Sequence, residues 1–87
     1  MYLPLKIEIF KEDDVFVAIS PQLNISSFGD SVEDARASLK EAIAAFIEEC
    51  TAMGTLDEIL EESGFSRTNE DWEARRPVLE DRISVSF

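Results

Sequence analysis

Apolar and polar residues alternate along separate short stretches of this 87-residue chain, and one long stretch between them has a helical period. Leu3, Leu5, Ile7 and Ile9 alternate with Pro4, Lys6, Glu8 and Phe10. A period of two marks a half-buried strand, so residues 3–10 are expected to be β. Lys11-Glu12-Asp13-Asp14 then makes a charged turn. Val15, Val17 and Ile19 alternate with Phe16, Ala18 and Ser20, which predicts a second strand over 14–20, antiparallel to the first. Ser20-Pro21-Gln22-Leu23-Asn24 breaks the pattern, because proline brings no N–H to a ladder. A third, shorter strand is expected over 24–29. Near the end of the chain Ile83, Val85 and Phe87 again share one face. A strand over 81–87 is therefore predicted, either as a sheet edge or given to a neighbouring chain.

The helical stretch follows the third strand. Val32, Ala35, Leu39, Ala42, Ile43, Phe46, Cys50 and Met53 recur at spacings of three and four and make one apolar stripe. Ser31 stands where an N-cap belongs, Asp34 where a capping-box acid belongs, and Gly54 where a C-terminal stop belongs. A helix over 31–52 is predicted. Ala44 and Ile47 widen its apolar surface and are candidates for contact with another subunit. Thr55-Leu56-Asp57-Glu58 reads as a second capping box opening a helix over 56–63, with Gly64 as its stop and Phe65 after it. Residues 66–80 are polar, with Trp72 as the one large apolar group, and read as a loop crossing back over the domain. The order β-β-β-α-(α)-β predicts a single α+β domain over 1–87. Its antiparallel three-stranded sheet and C-terminal strand would carry one long helix.

Size and charge narrow the picture. A chain this short buries only about 60–65% of its unfolded surface, so association with itself would add stability. A homodimer or tetramer is expected, with Ala44, Ile47, Ile83, Val85 and Phe87 as interface candidates. No apolar run is long enough to cross a bilayer, and Met1 to Lys6 lacks a basic leader with a cleavage site, so a cytoplasmic protein without membrane association is expected. The single cysteine, Cys50, excludes an internal disulfide and lies on the helix stripe as a core thiol. The formal charge is −11, and residues 30–63 carry ten acids against two bases. Such a surface repels phosphate backbones, so direct nucleic-acid binding is not expected. It serves solubility, or it steers the chain toward a basic partner.

No residue set reads as a catalytic centre. There is no histidine to act as a base or metal ligand, and the three glycines lie far apart, so no phosphate loop is present. Glu12-Asp13-Asp14, Glu48-Glu49 and Glu61-Glu62 are contiguous acids, and contiguous carboxylates diverge where a metal needs convergence. No enzyme activity, metal or cofactor is expected. Trp72 is either a lid over a small core or an interface anchor.

The wording of the chain resembles the HicB-like antitoxin family of type II toxin–antitoxin systems. Asp13-Asp14-Val15-Phe16-Val17-Ala18 is similar to the family's acidic hairpin. Pro21-Gln22-Leu23 is similar to its loop, and Gly29 through Ala35 to its helix start. Gly54 through Phe65 looks like the second helix of shorter members. Asn24 stands where the family loop often has glycine, and asparagine can also adopt the left-handed region. The resemblance implies a bacterial protein with a partial ribonuclease-H-like fold and no nuclease carboxylates. It also implies a homo-oligomer that masks a small basic mRNA-cleaving toxin of the HicA type. Longer members append a DNA-binding domain, and DNA-binding autoregulation is not carried over to this chain. Glu12, Asp13, Asp14, Glu33, Asp34 and Trp72 are the candidate partner-binding residues. The alternative is an orphan HicB-fold structural or small-ligand-binding protein without a toxin.

Overall fold

A computed structural model describes residues 2–87. The first three strands are β1 (Glu8–Glu12), β2 (Val15–Ser20) and β3 (Ile25–Gly29), and they form one antiparallel sheet in the order β1-β2-β3. The helix α1 (Val32–Met53) lies across this sheet, over β3 and β2 far more than over β1. The helix α2 (Leu56–Glu62) follows, and then a hairpin of β4 (Phe65–Thr68) and β5 (Asp71–Ala74). The α+β class and the β-β-β-α-α order match the sequence pattern.

Local chemistry accounts for the turns. Glu12 pairs with Val15, leaving Asp13-Asp14 as a two-residue hairpin loop with Asp13 at φ +54°. Asn24 takes φ +56° before β3, and asparagine and aspartate tolerate this region better than most residues. The Ser31 hydroxyl accepts the Asp34 N–H at 3.0 Å, which caps α1. Gly54 ends α1 in the left-handed region at φ +71°. The second capping box does not form. Thr55 makes no side-chain cap, and its hydroxyl instead donates back to the Cys50 carbonyl at 3.5 Å. The tight Gly54-Thr55 corner between the helices turns that hydroxyl toward α1.

Two apolar clusters make the core. Ala18 from the sheet meets Ala35, Leu39 and Ile43 from α1. Leu60, Phe65 and Trp72 form the second cluster under the β4–β5 hairpin. Leu5 and Leu23 touch both clusters. The N-terminal segment runs beside α1 from one cluster to the other and is stapled at its start, where the Trp72 N–H donates to the Tyr2 carbonyl at 3.0 Å. Residues 3–7, expected within the first strand, precede its paired part. There the Lys6 N–H finds the Gln22 side-chain carbonyl at 2.9 Å in place of a strand partner. Lys11 and Glu12, expected in the turn, instead pair with Phe16 and Val15 and belong to β1.

Two expectations are corrected here. Residues 66–80 are not a crossing loop, because residues 65–74 form the β4–β5 hairpin, turning at Asn69 with φ +54°. Residues 81–87 are not a strand within this chain. A strand needs a hydrogen-bonded neighbour, and none of the described strands pairs with them. Ile83, Val85 and Phe87 remain 85%, 73% and 117% exposed.

Candidate functional site

Strand register decides which side chains α1 covers. Ile9 pairs with Ala18, and Ala18 with Ser27, so Phe16, Ala18 and Ser20 face the helix. Val15, Val17 and Ile19 therefore face the other way. Cross-strand pairing sets Phe10, Val17 and Phe28 in one row across the outer face. Nothing among the described residues covers that row: Phe10 is 50% and Phe28 68% exposed. Val15, Val17, Ser26 and Phe28 line a shallow apolar depression there. Strand β2 is thus apolar on both faces, while α1 covers only one.

One end of this sheet collects carboxylates. Strand β1 ends and β2 begins at the Glu12-Asp13-Asp14 turn. Phe16 at the start of β2 pairs with Gly29 at the end of β3, so the β3–α1 junction lies at the same end. That junction contributes Asp30, and the first turn of α1 contributes Glu33 and Asp34. All six acids are exposed. Gly29 brings the two parts together, because a Cβ there would lie 2.5 Å from the Ala35 nitrogen. Only glycine lets β3 run this close to the start of the helix. Lys11 stands at the same end but leans over Phe16, its ammonium 5.9 Å from the ring centroid.

The structure thus gathers five of the six candidate partner-binding residues, Glu12, Asp13, Asp14, Glu33 and Asp34, at one end of the sheet. Trp72 is the exception. It is 3% exposed within the second core cluster, with the Arg67 guanidinium 5.9 Å from its ring centroid. It offers no contact surface, because α2 and β4 need its bulk to close a small core. Of the candidate subunit contacts, Ala44 is exposed, whereas Ile47 is half-buried against the first cluster. The sequence reading missed Phe10 and Phe28. The available signal was the unbroken apolar run Val15–Ile19, which marks a strand with apolar neighbours on both faces.

Among the described residues, no three His, Cys, Asp or Glu side chains are placed to hold a metal ion. No described helix is long and apolar enough to cross a membrane. No family model, curated protein or solved structure matches the chain.

Proposed function

We infer that this protein is a HicB-like antitoxin that binds a small basic mRNA-cleaving toxin and masks its active surface. The observation that carries the reading is the bare apolar row Phe10–Val17–Phe28 on a sheet whose end holds six exposed carboxylates. An apolar patch supplies affinity on desolvation, and a charged rim supplies orientation and rate. A protein that grips RNA does so with Lys and Arg, and carboxylates compete for those cations against phosphate. The ordered likeness of residues 7–65 to HicB-like sequences supports the same partner class. The protein needs no chemistry of its own in this role, since covering the toxin is enough.

The test is co-expression with the small basic reading frame adjacent to the gene. Growth rescue and a co-purifying complex are expected. The Phe10→Ser/Phe28→Ser variant should fold and lose the complex. A neighbour that is harmless alone, or that forms no complex, overturns the reading.

A further inference from the structure

A second apolar surface lies on the opposite face of the sheet, where α1 leaves β1 largely uncovered. Leu5 and Ile7 of the N-terminal segment and Leu39 and Ile43 of α1 line an open groove of about 260 Å³. Arg36 and Lys40 form its rim, one helical turn apart. They are the only two bases between residues 30 and 63, a stretch with ten acids. Neither makes an ion pair among the described residues. The groove also borders an open backbone edge, because β1 is an outer strand of its sheet. An unpaired edge is a template for an added strand.

The same chain carries a segment that fits this groove and has no place of its own. Residues 78–87 are all exposed. Ile83, Val85 and Phe87 recur at period two, so in a strand they would share one face, and Glu80 and Asp81 precede them. The cost of this arrangement shows in the size of the molecule. Its surface is 7164 Å², about 2,000 Å² more than a compact chain of 9.8 kDa exposes. Its radius of gyration is 15.3 Å, against about 12 Å for a compact chain of this length. Counted over two chains the surplus is about 4,000 Å², within the range that obligate homodimer interfaces bury.

We propose that the groove receives residues 79–87 of a second copy as an added edge strand, and that two copies exchange these segments reciprocally. Ile83, Val85 and Phe87 enter the groove, and Glu80 and Asp81 meet Arg36 and Lys40. The spans agree: Ile83 to Phe87 as a strand covers about 13 Å, and the helix along the groove from Arg36 to Ile43 about 10 Å. With its acids at the Arg36 end, the added strand runs antiparallel to residues 3–7. Pro4 removes one ladder donor, so pairing centres on residues 5–9. Reciprocal exchange closes a two-fold dimer and leaves no further groove open. The outer face with Phe10 and Phe28 stays free in this dimer.

The test uses the purified protein alone, so its outcome is separate from that of the toxin reading. Light scattering at micromolar concentration should give twice 9.8 kDa. Ile83→Ser/Val85→Ser/Phe87→Ser should give a monomer with an unchanged circular dichroism spectrum, since these exposed side chains belong to neither core cluster. Arg36→Glu/Lys40→Glu should weaken the dimer by about tenfold or more. Mixing it with a Glu80→Lys/Asp81→Lys variant should restore a mixed dimer, a rescue that a fold defect would not produce. Lys40→Cys/Asp81→Cys should crosslink between chains. A monomeric wild-type protein, a dimer indifferent to the serine substitutions, or a crosslink within one chain would each overturn the proposal.

Discussion

Gly29 ends β3 against the first turn of α1, and a Cβ there would also lie 2.7 Å from the Asp34 Cβ. The obstacle is largely backbone, so relief requires the helix start to move. Gly29→Ala should lower stability by about 1–3 kcal/mol, read from the urea midpoint, by forcing that shift. Ser31→Ala removes the hydroxyl that holds the Asp34 N–H and should cost about 1 kcal/mol in the same measurement. Trp72 separates packing from contact. Its indole nitrogen is buried without a partner among the described residues, so Trp72→Phe gives up no hydrogen bond. That change should cost less than about 1.5 kcal/mol, whereas Trp72→Ala should cost about 3–5 kcal/mol. If both left stability unchanged, the reading of Trp72 as core would fail.

At the scale of elements, strand register outweighs composition. Every apolar residue of β2 fits a strand, yet pairing alone sends Ala18 to the helix and Val17 to solvent. Phe10→Ser/Phe28→Ser should therefore change the urea midpoint little, because both rings are already half or more exposed. Binding of a basic partner should fall by about tenfold or more, since apolar anchors dominate interface energies. The acidic turn behaves differently. Asp13 holds φ +54°, so Glu12→Gln/Asp13→Asn/Asp14→Asn keeps the turn while removing its charge. Stopped-flow association with the basic partner should slow and lose salt dependence, with little change in dissociation rate.

Taken whole, the molecule is acidic, thin and larger than its mass requires. A charge of −11 opposes the counterion release that drives binding to duplexes. No shift of a duplex DNA or RNA probe is expected in gels at ordinary salt, and a tight shift would contradict the charge argument. The sheet's outer face and the groove beside α1 are both apolar and both open. Charge tells them apart: one ends in carboxylates, the other is rimmed by the two lone cations of its helix.

How much of this was legible in the chain depends on the range of the physics involved. Periodicity and caps act within a few residues, so the three strands, the Ser31 cap, the Gly54 stop and both helices could be read directly. The β4–β5 hairpin was hidden because each strand has four residues and each offers one large apolar group, Phe65 or Trp72. Its partners Tyr2, Leu3 and Leu5 come from the far end of the chain. The tail shows the reverse case. Residues 81–87 carry a clear strand pattern, but no strand among the described residues pairs with them. Five acids from two separate stretches were recognised one by one, and their meeting at one end of the sheet followed only from the register of β2 with β3. Local preference therefore determined the elements of this protein. Tertiary pairing decided which of their faces are bare, because a face is buried or exposed only by what lies across from it.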